Sequence, residues 1–281
     1  MTAYRGGHRG DGRRRWWLAG LTAVALLAAL GLLLLRPSAP VPVAAPAPVA
    51  PSSGAPAVAA PAPAVPPTVA ATSAPVPPDL LIMPGRVPTK GTGTFTYATG
   101  RGKVLGTKGQ LRRFRVAVEK GSNEDPAVFA AQVEATLGDK RTWIGNGQLR
   151  LQRVSGGEKA SFTVYLATRE SAGRMCQVGG VNVTVRGRPY TSCRSTGRVI
   201  INLDRWRLSA RPYRAAKVPL TVYRQYVINH ETGHELGQHH EGCPKPGGPA
   251  PVMVQQTLTV RGCVPYAWPR RANHRFEGPR L

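Results

Sequence analysis

The strongest constraint on folding lies in the first 79 residues, which offer almost nothing from which to build a packed core. An uncharged apolar run of 20 residues, Trp16–Leu35, is followed at residues 37–79 by a stretch made almost entirely of Ala, Pro, Val, Ser and Thr. Such a composition favours polyproline II and cannot bury a core. The folded part is therefore predicted to be residues 80–281, which is long enough for one domain with its own core.

The apolar run predicts a transmembrane signal-anchor helix over residues 16–36. Twenty residues at about 1.5 Å each span about 30 Å, the thickness of the hydrocarbon core of a bilayer. Residues 1–15 are basic and are predicted to be a cytoplasmic tail, because positive charge stays on the inner side. Residues 37–79 are then a disordered linker, either a stalk or a simple spacer, and the domain is extracellular. A cleaved signal peptide is the alternative, and it would make the domain secreted.

The periodicity of the remaining residues predicts an α+β domain. Alternating apolar and polar residues indicate half-buried strands at Thr94–Ala98, Leu111–Val118, Leu149–Arg153, Phe162–Ala167 and Val199–Leu203. The stretch Asn123-Glu124-Asp125-Pro126 is typical of a helix start, with a capping residue, acids and an early proline, and Gly138 ends that helix. Further helices are predicted over Glu170–Met175 and Thr221–Leu236.

Four cysteines follow the predicted export segment, and an even number in that position predicts two disulfides. The pairing Cys176–Cys193 and Cys243–Cys263 closes short loops and is the simplest of three connectivities. The second bond would pin the loop region after the last helix. Free buried thiols are the alternative, and the absence of a Cys-x-x-Cys pair argues against a cysteine zinc site.

The chain carries a formal net charge of +24, from 38 Lys and Arg against 14 Asp and Glu. The charge predicts either a solvated surface or attraction to anionic neighbours, of which acidic cell-wall polymers are the expected partner. The basic residues are scattered and no nucleic-acid-binding motif is present, so we expect no specific nucleic-acid partner.

The sequence HETGHELGQHH at residues 230–240 has the spacing of a metal site on a helix. His230 and His234 are four residues apart and lie on one helix face, so both can bind one ion. Gly237 can adopt positive φ and end the helix in a sharp turn, which allows His240 to return as a third ligand. Three ring nitrogens leave one tetrahedral position open, as a catalytic Zn²⁺ requires.

Glu231 follows the first histidine and predicts chemistry beyond metal binding. A carboxylate there can take a proton from a zinc-bound water and pass it to a leaving amine. His239 is the alternative third ligand, and a helix with solvated histidines is the alternative to any metal site.

The pattern H-E-x-x-H-x-x-G-x-x-H resembles the zinc-binding consensus of the metzincin clan of metallopeptidases. The resemblance implies a zincin-like fold with a mixed sheet, and it implies roles for four residues. Zn²⁺ would be bound by His230, His234 and His240, and Glu231 would be the general base.

Metzincins also have a methionine turn beneath the zinc ligands, and Met253 in Pro249-Ala250-Pro251-Val252-Met253 is the candidate here. An ordinary core methionine is the alternative. The chain departs from better-known members in two ways, since Met253 follows the third histidine by only 13 residues and no tyrosine lies two residues after it. Tyr266 is a candidate transition-state helper in place of that tyrosine.

The domain also resembles an uncharacterised actinobacterial family, domain of unknown function 3152. The similar stretches are Asp125-Pro126, Thr142-Trp143, Asn202-Leu203-Asp204-Arg205-Trp206, the histidine helix, Val252-Met253-Val254-Gln255-Gln256-Thr257 and Gly262-Cys263-Val264-Pro265-Tyr266-Ala267-Trp268-Pro269.

Together these features predict a membrane-anchored, extracytoplasmic zinc endopeptidase that acts on a peptide or protein substrate. The alternatives are a non-catalytic zinc-containing surface module and a hydrolase of cell-wall peptide crosslinks. Metzincins bind extended substrates beside an edge strand, and Gly197–Leu203 is the candidate strand, with an interior strand as the alternative.

Overall fold

A computed structural model of the protein describes residues 77–281. The predicted cytoplasmic tail at 1–15, the anchor helix at 16–36 and nearly all of the linker at 37–79 lie outside the described residues. Within residues 77–281, no helix has the length and apolar character needed to cross a membrane.

The domain contains eleven strands, five α-helices and one 3₁₀ turn among its described residues. In chain order they are β1 (Phe95–Tyr97), β2 (Val104–Leu105), β3 (Gln110–Glu119), α1 (Pro126–Leu137), the 3₁₀ turn (Trp143–Asn146), β4 (Leu149–Arg153), β5 (Phe162–Ala167), α2 (Arg169–Val178), β6 (Thr184–Val185), β7 (Arg188–Pro189), β8 (Cys193–Ser195), β9 (Arg198–Asn202), α3 (Leu203–Leu208), α4 (Arg211–Ala215), α5 (Leu220–Glu235), β10 (Arg270–Arg271) and β11 (His274–Arg275).

Seven of the strands form one mixed sheet in the order β2-β4-β3-β5-β9-β8, with β1 also paired to β3. The pairs β3–β4, β3–β5 and β5–β9 are parallel, whereas β1–β3, β2–β4 and β8–β9 are antiparallel. The hairpins β6–β7 and β10–β11 are separate two-stranded sheets. The predicted α+β class with a mixed sheet is confirmed.

The longer predicted elements agree closely with the structure, and β4 and β5 have the predicted bounds. The helix start at residue 126 is also confirmed, and the capping residue is Asp125. The Asp125 carboxylate accepts hydrogen bonds from the backbone N–H groups of Ala127 and Val128, at 2.8 and 2.9 Å.

The proposed edge strand at Gly197–Leu203 is wrong in its position. This segment forms β9, which pairs with β5 on one side and with β8 on the other, so it is interior. In the described sheet the edge strand next to β9 is β8. It has only three residues, which is too short for a periodic pattern to be recognised in the sequence.

Helix α5 packs against β8 and β9 and against α1 and α3. Its first half is held by aromatic packing, because the ring of Tyr213 lies 5.0 Å from that of Tyr223 and 5.6 Å from that of Tyr226. All three tyrosines are almost fully buried. This packing of the first half fixes the direction of the second half, which carries the histidines and is also largely buried.

Both predicted disulfides are confirmed. Cys176–Cys193 joins α2 to the edge strand β8, and Cys243–Cys263 joins the two arms of the loop region after α5. The first bond therefore ties the edge strand to the body of the domain, and the second closes the loops that follow the histidines.

A buried carboxylate anchors the end of β3. Glu119 is 1% exposed and accepts hydrogen bonds from the backbone N–H of Gly93, from both the N–H and the hydroxyl of Thr168, and from the hydroxyl of Ser171. These bonds join the N-terminal loop to the start of α2.

We expect Glu119→Ala to lower the free energy of unfolding by about 3 kcal/mol, because it leaves buried donors without an acceptor. Urea unfolding followed by circular dichroism would measure this loss. The control is Glu277→Ala, which removes an ion pair between Arg275 and an exposed glutamate and is expected to have little effect. An equally small effect of Glu119→Ala would contradict the anchoring role.

Candidate metal centre

The end of α5 brings the three predicted histidines together. The helix ends at Glu235, and Gly237 adopts φ of +86°. Its N–H donates to the carbonyl of His234 at 3.1 Å, which closes the helix in a tight turn. His230, His234 and His240 then offer ring nitrogens that all lie within 4.8 Å of one another.

Two of the rings are oriented by backbone carbonyls. Nδ1 of His230 lies 2.7 Å from the carbonyl oxygen of Val252, and Nδ1 of His234 lies 2.8 Å from that of Gln238. A carbonyl can only accept, so each Nδ1 carries the proton and each Nε2 presents a lone pair to the centre of the cluster. This is the tautomer that a metal-binding histidine needs.

The geometry fits a tetrahedral Zn²⁺ site. Nε2 of His234 lies 3.1 Å from Nε2 of His240, and two ligands at about 2.0–2.1 Å from a tetrahedral ion are separated by about 3.3 Å. His239, the alternative ligand, is not part of the cluster and is exposed at the cleft wall. Burial lowers the pKa of His230 well below its usual value and that of His240 to about 4, so the rings are neutral at neutral pH.

Glu231 lies in the same cleft and is 5% exposed. Burial raises the pKa of its carboxyl group to about 8, since removal from water disfavours the charged form. A carboxylate in this position holds protons more strongly than a solvated one, which suits a group that takes up and releases a proton.

Met253 lies beneath the histidine helix and is fully buried. A side chain at Gly233 would meet its sulfur at 2.6 Å and the ring of Trp143 at the same distance, so the helix is in close contact with both. The preceding residue, Val252, supplies the carbonyl that orients His230. The predicted turn therefore contacts the histidine helix at Gly233 through the Met253 sulfur, and the His230 ring through the carbonyl of Val252.

The structure does not bring Tyr266 to the cleft, and this prediction needs correction. Among the described residues that line the cleft Tyr266 is absent, and its hydroxyl donates to the carbonyl of Arg270 at 3.0 Å. The tyrosine at the cleft is Tyr226, whose ring lies 5.3 Å from that of His230. Its hydroxyl donates to the Val254 carbonyl at 3.0 Å and so supports the methionine turn. Its position four residues before His230, on the same helix face, was the available sequence signal.

The cleft has a volume of about 490 Å³. It is lined by α5 with the histidines and by residues 181–183 and 191–194, which lie within and beside the loop closed by the Cys176–Cys193 disulfide. Residues 255, 257 and 258, which follow the methionine turn, also line it. A ligand in the cleft would therefore contact both β8 and the histidines.

Comparison with known protein families assigns the chain to one family. The sequence model of one family, described as a protein of unknown function, matches residues 82–267, which is more than half of the chain and includes the three histidines and Glu231. The chain belongs to the DUF3152 family. No curated protein and no solved structure shows significant similarity to it.

Beyond the part matched by the DUF3152 model, residues 277–281 form a C-terminal segment that runs beside the third histidine. The N–H of Leu281 donates to the carbonyl of His240 at 3.2 Å, and the N–H of Gly242 donates to the carbonyl of Pro279 at 2.7 Å. Among the described contacts, no carbonyl accepts from Nδ1 of His240, in contrast to the other two histidines. The position of this ring therefore depends on its backbone, which the C-terminal segment holds.

We expect Gly278→Ala to weaken Zn²⁺ binding about tenfold, the lower range for changes in groups that support a metal ligand. A Cβ atom at this position would lie 2.1 Å from the carbonyl oxygen of Gly242, so the C-terminal segment must move. Competition with a zinc chelator measures the affinity. Gly157→Ala is the matched control, because a Cβ there meets nothing within 4 Å. Equal affinities for the two variants would refute the supporting role.

Proposed function

We propose that this DUF3152 protein is a zinc-dependent endopeptidase of metzincin type that hydrolyses peptide bonds. The observation that carries the proposal is the convergence of three histidines and one buried glutamate on a single cleft. A structural zinc site is closed by four protein ligands and needs no general base, whereas a catalytic site has three and keeps one position free.

His230, His234 and His240 would hold the Zn²⁺ ion. When bound, the ion supplies a Lewis acid that polarises the substrate carbonyl and lowers the pKa of water. The chain itself provides the orientation of the ligands, because the carbonyls of Val252 and Gln238 direct two of the imidazole rings.

Glu231 would act as the general base and then as the general acid. It is adjacent to the first ligand, and its carboxylate would remove a proton from the attacking water and transfer it to the departing amine. Its burial supports this role, because a carboxylate of raised pKa accepts a proton more readily than a solvated one.

The substrate would bind as an extended strand along β8, which replaces β9 as the candidate edge strand. Glu235 holds β8 against α5, since its carboxylate accepts from Nε of Arg194 at 2.8 Å and from the N–H of Gly197 at 3.1 Å. An edge strand fixed beside the histidines offers backbone groups to which a peptide can add as a further strand.

Two further features support the metzincin assignment and a zincin-like fold. The mixed sheet ends in a short antiparallel strand next to the histidine helix, and Met253 packs beneath that helix against Gly233. With the predicted anchor at residues 16–36, the peptidase would act outside the cell on peptides near the membrane, or as a secreted enzyme if the anchor is cleaved.

The test is to purify the protein, measure its zinc content and incubate it with a diverse peptide library analysed by mass spectrometry. We expect about one Zn²⁺ per chain and internal cleavage products that a chelator abolishes and added Zn²⁺ restores. A protein that binds no zinc even after reconstitution would overturn the metal site, and a zinc-loaded protein without cleavage products would overturn the peptidase.

A further inference from the structure

A second cavity, of about 210 Å³, lies apart from the histidine cleft and is lined by cationic side chains. We call it the cationic cavity. The residues that line it are Lys140, Arg141, Tyr266, Arg270, Arg271, Ala272 and Asn273. Its basic residues come from two places in the chain, the loop after α1 and the β10–β11 hairpin. The tertiary structure thus gathers basic residues that are far apart in the sequence.

The two segments that form the cationic cavity are firmly joined. The backbone N–H of Arg270 donates to the carbonyl of Arg141 at 3.0 Å. The guanidinium of Arg141 lies 4.0 Å from the ring centre of Trp268 and donates to both oxygens of Asp139, at 2.9 and 2.7 Å. The cavity is therefore held in place before any ligand arrives, which lowers the entropic cost of binding.

Among the described residues, only one of the four basic side chains that line the cationic cavity, Arg141, forms an ion pair with an acidic residue. Four basic side chains line it, and no described acidic side chain does. The Asp139 carboxylate forms an ion pair with Arg141 and so does not offset the charge of the other three side chains. In the described part of the chain, the side chains of Lys140 and Arg271 take part in no ion pair or hydrogen bond, and both are exposed. Their donors are free to bind an anion.

We propose that the cationic cavity is a binding site for a phosphate group. Guanidinium groups present paired donors that match phosphate oxygens, and a lysine ammonium adds a further point charge. The cavity is too small for an extended polymer and admits one such group with a short substituent. The proposal does not depend on the peptidase activity.

The test is isothermal titration calorimetry of the full-length protein in a neutral detergent, with inorganic phosphate at constant ionic strength. We expect saturable binding at about one site per chain that Lys140→Gln combined with Arg271→Gln weakens at least tenfold. Neither side chain supports the fold through a described contact, so this double variant is expected to fold normally. Phosphate that bound at the zinc site instead would be unaffected by the two substitutions.

The matched control is Arg211→Gln combined with Lys217→Gln, which removes the same charge from exposed positions outside the cavity. It is expected to bind phosphate as the parent does. Absence of saturable binding in the parent, or an equal loss in both double variants, would overturn the proposal, since the second result would mean that net charge alone attracts the anion.

A second titration distinguishes the source of the phosphate group. Glycerophosphoglycerol is a phosphodiester and carries the headgroup chemistry of an anionic lipid without its chains. Tighter binding of this diester than of inorganic phosphate would identify a lipid headgroup as the source of the phosphate group, and the reverse order would identify free phosphate. Either order must be sensitive to the Lys140 and Arg271 substitutions for the proposal to stand.

Discussion

Glu231→Ala is expected to leave Zn²⁺ bound and to reduce peptide hydrolysis roughly 10²–10⁴-fold, the usual contribution of a general base. The carboxylate is not one of the three converging ring nitrogens, so its removal takes no ligand from the ion. The substitution does remove the carboxylate that directly follows the first ligand, His230, in α5. Zinc content by elemental analysis and initial rates on a peptide identified from the library would be measured together.

Glu231→Gln sharpens this test because it keeps the size of the side chain and removes its ability to take a proton. We expect it to lose as much activity as the alanine variant while it keeps the zinc and the fold. A glutamine variant as active as the parent would rule out proton transfer by this residue. Loss of zinc in both variants would instead indicate that Glu231 supports the metal site.

His240→Ala is expected to weaken Zn²⁺ binding by more than about 100-fold, which exceeds the effect of changing a group that merely supports a ligand. The substitution removes one of the three ring nitrogens that would bind the ion. This nitrogen, Nε2 of His240, lies 3.1 Å from Nε2 of His234. Two imidazoles alone do not retain the ion against a chelator, so activity is expected to disappear as well.

His239→Ala provides the matched control for the third ligand. The two histidines are adjacent and chemically identical, but His239 is exposed and lies outside the converging cluster. We expect this variant to bind one Zn²⁺ with the affinity of the parent, as measured by competition with a chelator. The opposite result, with loss at His239 and retention at His240, would mean that the turn after Gly237 presents the other ring to the metal.

The extent to which the fold could be predicted follows from element length. Strands of five residues or more and helices of ten or more repeat their pattern often enough to be recognised, and β4, β5, α1 and α5 agree with prediction. The edge strand β8 has three residues and β10 and β11 have two each, so no periodicity could reveal them. The interior position of β9 could not be predicted from the sequence either, because strand order depends on pairing between distant segments.

In the candidate site, too, the features that depend on nearby residues could be predicted from the sequence, and those that depend on distant residues could not. The spacing of His230, His234 and His240 is local, and the helical repeat together with the turn at Gly237 brings the rings together. The groups that orient these rings are not local to α5. The carbonyl of Val252 lies 22 residues beyond His230, so only the packed structure identifies it.

The sequence by itself indicated the α+β class, a pairing of the four cysteines in short loops and three converging histidines, because helix geometry and short loop closure act between residues that are near each other in the chain. Tertiary structure alone decided that β8 is the edge beside the histidines, that Tyr266 lies away from the cleft, and that Lys140 and Arg271 share a cavity. Each of these depends on contacts between segments far apart in sequence. Such contacts are set by the packing of the whole core, which no local pattern records.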